Sequence, residues 1–512
     1  MRTTFGTFNI ATSGLFASQR ALDLVSNNIA NANTEGYSRQ QMLQRASIPI
    51  GGDPRGLVGT GVETYDIIQI RSAYMDNKYW GQMKSYTEWK TKSEGLQDVE
   101  AIFNEPSETG IRAVMDELFA SMEELVKKPG DNTNRVNLIE KAVTFSNTIN
   151  GFGKQIVDSI REINFSVKSK VEEVNSLATQ ITELNRQIFN MELDGHKSNG
   201  LRDQRSTLVD KLSTMVNIDV SEVAGEGGIK YFNIRIGGIT LVNHYQVNKL
   251  TVDNSKVIDV EKYGTGEISE VKWAGVNGQP LDLVKIEGGE LKGLLDVRDG
   301  TGENHSYRGF PFYLQQLNRF ARDVAKAFND QHKAGYDMSG NTNIAFFEEP
   351  ADTAAPIDIT DDWKNVNCLN LKVRDAVKND PTKVAAADIN GGESNNINAK
   401  LLAALRNRKD IFYNPADPTF TQKINGTTDD FIKSVLSALS VDANQAERMT
   451  TNTESIVEQT KTKRMSESGV SLDEEMGNMV KFQQSYNASA RMITTLDNIM
   501  DTMINRLGMV GR

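Results

Sequence analysis

Apolar residues spaced alternately by three and four positions run along both ends of this chain, and few folds accommodate that. Near the carboxyl end the line passes through Met479, Phe482, Tyr486, Ser489, Ile493, Leu496, Met500, Met503 and Leu507, with one small polar member. Near the amino end Phe8 precedes Ala11, Leu15, Ser18, Leu22, Val25, Ile29 and Ala32 on the same spacing. This is the seam of a helix that buries one narrow stripe and needs a partner to cover it. Lys481, Gln484, Asn487, Arg491 and Asn498 keep the opposite face of the second helix polar. The first stripe dissolves into Asn31-Ala32-Asn33-Thr34-Glu35-Gly36, whose asparagines and glycine suit a helix end. Ser471-Leu472-Asp473-Glu474 has the form of a capping box that opens the second.

Between these ends the texture changes several times. Ile156, Ile160, Ile163, Val167, Val174, Ile181, Leu184 and Ile188 keep helical spacing within a stretch from about Val136 to Met191, and Leu201 to Val216 returns as a second helix after a polar turn at 195–200. Tyr231 to Ile236 alternates in strand fashion between Gly227-Gly228 and Gly237-Gly238. Leu314, Leu317, Phe320, Ala321, Val324 and Phe328 predict a helix over Phe312–His332. Loops such as Asn414-Pro415-Ala416-Asp417-Pro418 interrupt the region after it, and helix resumes from Asp430, with the polar run Asp442 to Thr462 compatible with it.

The expected fold is mainly α with β-rich inserted domains. Residues 1–45 and 468–512 form the two halves of a coiled-coil-like inner domain, and 46–217 with 425–467 form a long helical bundle. Residues 218–304 form a β-rich outer domain, 305–339 a helical return, and 340–424 a second, mixed α/β excursion.

Acidic residues exceed basic ones by 68 to 57, a net charge of −11, which disfavours phosphate backbones and anionic lipid as partners. No stretch reaches the roughly 18 apolar residues of a membrane span, and Met1 to Phe8 lacks the apolar core of a secretory signal. The one cysteine, Cys368, rules out an internal disulfide. His196, His244, His305 and His332 are scattered without metal-ligand or nucleophile spacing, and read as surface or packing residues. Gly227-Gly228 lacks the lysine and hydroxyl of a phosphate loop. Asp337, Ser339, Asn341 and Glu348 fall at calcium-loop positions, but Thr342 stands where glycine is needed and Ala345 offers no side-chain oxygen, so a polar turn is expected instead. Asp358, Asp361 and Asp362, without histidine partners, read as loop charge. The expectation is no catalysis, no cofactor and no metal.

Ser13-Gly14-Leu15, Ala21-Leu22, Ser26-Asn27-Asn28-Ile29-Ala30-Asn31 and Asn33-Thr34-Glu35-Gly36-Tyr37 resemble the amino-terminal signature of flagellar rod, hook and hook-associated proteins. Tyr37-Ser38-Arg39-Gln40 is closer to the hook-associated branch. Leu472-Asp473-Glu474-Glu475-Met476 and Phe482-Gln483-Gln484-Ser485-Tyr486-Asn487-Ala488-Ser489-Ala490 match the same family at the far end, and Gly289 to Leu295, Arg298-Asp299, Ala327-Phe328-Asn329 and His332 match it inside.

The resemblance implies an extracellular subunit of the axial tube between hook and filament. It would be exported through the flagellar type III apparatus and packed against copies of itself in a ring or helical lattice. Hook protein would lie below, a second junction protein and filament subunits above, and a dedicated chaperone would hold the carboxy-terminal helix before export. The expected assembly residues are Phe8, Ala11, Leu15, Leu22, Val25, Asn27, Asn28, Ile29, Asn31, Asn33, Gly36, Tyr37, Ser38, Arg39, Gln40, Leu472, Met479, Phe482, Gln483, Tyr486, Ile493, Leu496, Met500, Met503 and Leu507. A rod or hook subunit would share both terminal motifs, a surface adhesin could use the β-rich excursions, and a wall hydrolase would need a metal cluster or paired carboxylates there.

Overall fold

The computed structural model describes residues 4–53, 56–103, 110–193, 195, 197–225, 230–253, 268–275, 280–348, 366–389, 392, 394–412 and 426–506. His196, Gly227-Gly228, Asp358, Asp361, Asp362, 414–418 and Leu507 lie outside the described residues.

Eleven helices of α type are described: α1 (Thr4–Ala30), α2 (Ala73–Phe103), α3 (Ile111–Lys127), α4 (Asn132–Glu192), α5 (Asn199–Met215), α6 (Glu290–Asp299), α7 (Phe310–Lys333), α8 (Asp375–Lys378), α9 (Ile397–Ala404), α10 (Thr428–Ser468) and α11 (Leu472–Asp501). The long α4 opens on Asp131, whose side chain accepts from Thr133 N, and its Leu138, Ile149, Ile156, Val167, Val174 and Ile181 line a buried face. α10 is carried past its polar middle by tertiary contact with α2 and by a full capping box between Thr427 and Asp430.

Two apolar cores fill the body. In the first, Phe320 of α7 stacks on Phe412 and Phe431 with centroids 6.0 and 5.9 Å away and meets Phe145 of α4 at 6.2 Å. The second joins α4 and α5, through Val174, Ile181, Val209 and Leu212, to Phe232, Ile234, Ile236, Leu241 and Val242 of a sheet. That sheet is the meander β5 (Asp219–Ala224), β6 (Lys230–Ile236), β7 (Ile239–Asn243) and β8 (Gln246–Val247). Alternation along Tyr231 to Ile236 sends Phe232, Ile234 and Ile236 inward, as the sequence predicts. β9 (Leu250–Asp253), β10 (Glu270–Ala274) and β11 (Pro280–Leu283) form a second sheet in the order β11-β10-β9.

The structure corrects four expectations. Segment 46–217 is not helical from its start. β1 (Gln40–Ala46) and β4 (Val62–Gln69) form an antiparallel ribbon with a bulge after Leu43, and β2 (Ile50–Asp53) pairs with β3 (Gly56–Val58) beyond it. Alternation in Val62-Glu63-Thr64-Tyr65, rather than a helical stripe, carries that ribbon. Segment 218–304 ends in helix α6, because Leu291 and Val297 share an inward helical face. In segment 340–424 the described residues make short helices and two isolated bridges, Tyr336 to Ala387 and Phe347 to Val373, instead of strands. There Asn329 replaces a ladder: its Oδ1 accepts from Phe346 N and Phe347 N, and its Nδ2 donates to Phe347 O. Finally, Ser471 accepts from Glu474 N as predicted, but the Glu474 carboxylate accepts from Arg39.

Candidate functional site

α1 and α11, from opposite ends of the chain, lie side by side and antiparallel. Asn28 meets Glu475, and a methyl on Gly14 would stand 3.1 Å from Ser489 Oγ. Among the described residues, neither apolar core takes in a side chain from either helix.

On α11 the predicted stripe is where the sequence puts it: Met479, Phe482, Tyr486, Ser489, Ile493, Leu496 and Met500 are all half-buried, whereas Leu472, Gln483 and Met503 are exposed. On α1 three members of the stripe, Ala11, Ser18 and Val25, are buried, and the rest of the buried line is rotated by about one residue. Ala11, Ala17, Ser18, Ala21, Val25 and Asn28 are buried, Leu15, Leu22 and Ile29 are half-buried, and Phe8 is exposed. Small side chains explain the shift, because Gly14 and the alanines let the backbones approach more closely than leucines would. Other apolar side chains stay uncovered: Leu472, Met476, Val480, Met492 and Ile499 on α11, with Phe8 and Phe16 on α1.

The asparagine-rich motif ties the base of this pair. Asn28, 1% exposed, uses all its hydrogen-bonding capacity: Nδ2 donates to Gln40 O at 3.0 Å and Glu475 Oε2 at 3.1 Å, while Oδ1 accepts from Tyr37 Oη at 2.8 Å and Gln40 N at 3.1 Å. The motif thus folds the chain back from helix to ribbon and sets α1 in register with α11, as a lone polar contact does in a coiled-coil seam. Asn27 is exposed and donates to Tyr37 Oη; Asn31 donates to Asn27 and accepts from Thr34 Oγ1. Asn33 is exposed. Gly36 turns the chain at φ +79°, where a methyl would run into Thr207 of α5. Burial, with Asp203 and Glu475 nearby, pushes the Tyr37 phenol up to about 12, so it stays a neutral donor. Ser38 is buried and its N donates to Asp203. Arg39 donates Nε to Glu475 at 2.8 Å and Nη1 to Glu474 at 2.6 Å, and Gln40 Oε1 accepts from Asn199.

Glu475 stands inside a recognisable motif, yet sequence reasoning missed its role. A signal was available: Glu475 stands one step before Met479 on the apolar stripe, where a charge demands a buried partner. Asp203 carried no local signal.

Asp337 and His332, weighed above as candidate ligands, are held by hydrogen bonds. Asp337 Oδ1 accepts from Ser339 N and Asn341 N, and Oδ2 from Asn341 Nδ2, which is the polar turn expected. His332 is enclosed: Ala385 N donates to Nε2 and Nδ1 lies 2.7 Å from Ile344 O. His244 packs among Phe189, Tyr231 and Tyr245, and His305 is exposed. Burial pushes the Cys368 thiol up to about 12.

Residues 96–347 match the family model for the flagellar hook-associated protein FlgK helical domain. Residues 461–507 match that for the flagellar basal body rod FlgEFG protein C-terminal region, and 8–37 that for flagella basal body rod protein. The chain is 29% identical to flagellar hook-associated protein 1 of Bacillus subtilis (strain 168), covering 100% of both, and 27% identical to that of Salmonella typhimurium, covering 97% of this chain and 99% of the other. The flagellar hook junction protein FlgK from Burkholderia pseudomallei shares the fold at a TM-score of 0.61 and 15% identity, covering 77% of this chain and 100% of that one. With rod-type models on the two paired terminal helices and a hook-associated model on the body between them, the chain belongs to the hook-associated branch of the flagellar rod, hook and hook-associated axial protein family.

Proposed function

We propose that this chain is the structural subunit of the junction between hook and filament, assembling at the distal end of the hook through its terminal helices. The observation that carries the reading is the α1–α11 pair: two helices from opposite chain ends, outside both cores, each with apolar side chains still facing solvent. Each such side chain contributes roughly 1.5–3 kcal/mol when a neighbour covers it, enough in sum to drive a lattice after ordering entropy is subtracted. The inner coiled-coil-like domain is the pair itself, 1–45 with 468–512. The body between presents two further surfaces, the β5–β8 sheet and the segment around α8 and α9, which can contact hook protein on one side and a second junction protein or filament subunits on the other.

Export through the flagellar type III apparatus follows from the same reading. So does a chaperone that covers α11 until assembly, since exposed apolar helices associate prematurely.

A deletion strain tests the role. Electron microscopy is expected to show basal bodies and hooks without filaments, with flagellin in the medium by immunoblot. Missing hooks would point instead to a rod or hook subunit, and normal motile filaments would reject the junction role.

A further inference from the structure

A second polar cluster lies where the terminal pair meets the body. Arg464, near the end of α10, donates Nε to Asp76 Oδ1 of α2 at 2.7 Å. Its Nη1 and Nη2 reach both oxygens of Asp210 of α5, at 2.8 and 3.1 Å. The guanidinium also lies over the Tyr79 ring, 4.8 Å from its centroid. Asp210 Oδ1 accepts the Trp80 indole N–H at 2.6 Å. Asp76 holds Arg71 through Nε at 2.6 Å and Nη2 at 3.2 Å. Arg71 Nη1 faces Ser38 Oγ at 3.4 Å and Asp203 Oδ1 at 3.7 Å, and Asp203 Oδ2 accepts from Ser38 N at 3.2 Å. Four distant stretches of chain thus meet in one run of alternating charges.

These side chains retain between 8% and 24% of their exposure, so the ions are largely desolvated. Burial opposes the charge on Arg464, but Asp210 and Asp76 outweigh it and hold the guanidinium above its ordinary value. Apolar residues of similar size would bind three helices at least as well, since buried ion pairs roughly offset their own desolvation. What bidentate arginine contacts add is direction, because they are satisfied in one arrangement of the helices and in few others.

The geometry points to an angle lock: we propose that Arg464, through Asp76, Arg71, Asp203 and Asp210, fixes the orientation of the terminal helix pair against the body. Both crossings of the joint are held beside it. Ser38 enters the network through its backbone and hydroxyl, and Arg39 N donates to Ser468 O, one helical turn beyond Arg464, at 2.8 Å. The functional meaning rests on the junction reading. A tube resists bending only as far as each subunit's inner helices cannot rotate against its outer body, and a locked joint suits the rigid side of the adaptor.

The test uses the isolated full-length protein, so its outcome is independent of the junction role. Hydrogen exchange is followed at Ser38–Gln40 and Gly469–Val470, with the amides of α7 as an internal reference, in Arg464→Lys, Arg464→Met and Asp210→Asn. Exchange at the joint is expected to rise roughly tenfold or more in Arg464→Met and Asp210→Asn, less in Arg464→Lys, with α7 unchanged. Unchanged joint amides would overturn the lock. Loss of protection across α7 as well would show that the network holds the body together rather than setting the joint, and would overturn it equally.

Discussion

α7 and α11 are helices of similar length, 24 and 30 residues, with opposite fates. α7 buries Phe310, Tyr313, Leu314, Leu317, Phe320 and Phe328, whereas the one fully buried side chain of α11 is Glu475. Both carry apolar stripes at helical spacing. Periodicity therefore states which face of a helix wants cover, and whether the protomer or a neighbour supplies it is decided by how many elements surround the helix. α7 touches α4, α6, α9 and α10, while the contacts of α11 are concentrated on α1.

A matched pair of truncations separates the two helices. Phe320→Ala removes a ring stacked among Phe145, Phe412 and Phe431 and is expected to lower the stability of the body by about 3–5 kcal/mol. Phe482→Ala, on the half-buried stripe of α11, is expected to leave the unfolding free energy of the body within about 0.5 kcal/mol of the parent. Urea unfolding followed by circular dichroism checks both. Equal losses would mean that the terminal pair belongs to the body's cooperative unit.

The same contrast governs what the sequence made legible. α4, α5, α7 and α11 were readable because each repeats one apolar face over several turns. On α1, Ala11, Ser18 and Val25 are buried as the stripe predicts, but Leu15 and Leu22 are only half-buried, because close approach at Gly14 and Ala21 decides the packing there. The 40–69 ribbon was missed because its two strands are mostly polar and partly exposed. Within the site, the asparagine motif was recognisable as a pattern but its chemistry was not. Asn28 bonds to Glu475 across 447 positions, and no local rule reaches that far.

The next largest effect separates the regions by pH. His332 lies 0% exposed in the body, and its Nε2 accepts Ala385 N–H, so the ring must stay neutral. Burial lowers its pKa from 6.5 to about 4. Between those values the unfolded chain binds the extra proton and the folded chain does not. Stability is therefore complete above about pH 6.5, falls as pH falls, and by about pH 4 has lost roughly 3 kcal/mol from this group. Urea titrations from pH 7 to 4 check it, because His332→Phe should flatten that part of the profile. An unchanged slope in the variant would assign the acid sensitivity to other groups.

Asn28→Ala is expected to act on the pair alone. It strands Gln40 N and O, Tyr37 Oη and one Glu475 oxygen, for about 1–3 kcal/mol in the docking of α1 on α11. Exchange at Gln40 and along α1 should accelerate while α7 keeps its protection. Acceleration in α7 would join the two regions that the comparison keeps apart.

The smallest expected effect lies within one side chain, because Arg39 divides its guanidinium between Glu475, which is buried, and Glu474, whose side chain is 62% exposed. Water and salt already screen the outer contact, and an exposed pair of this kind contributes about 0–1 kcal/mol. Glu474→Gln should therefore change exchange at Arg39 and Gln40 by less than about twofold at low salt and not at all at high salt. Glu475→Gln removes the inner charge, leaves Arg39 without its desolvated partner and gives the Asn28 amide a neutral acceptor in place of a carboxylate, so its larger effect should persist in high salt. The two variants measured side by side across a salt series separate a register-setting contact from a rim contact. If Glu474→Gln proved the more disruptive of the two, the pair would be held from its solvent side, and Asn28 would be a bystander to that contact.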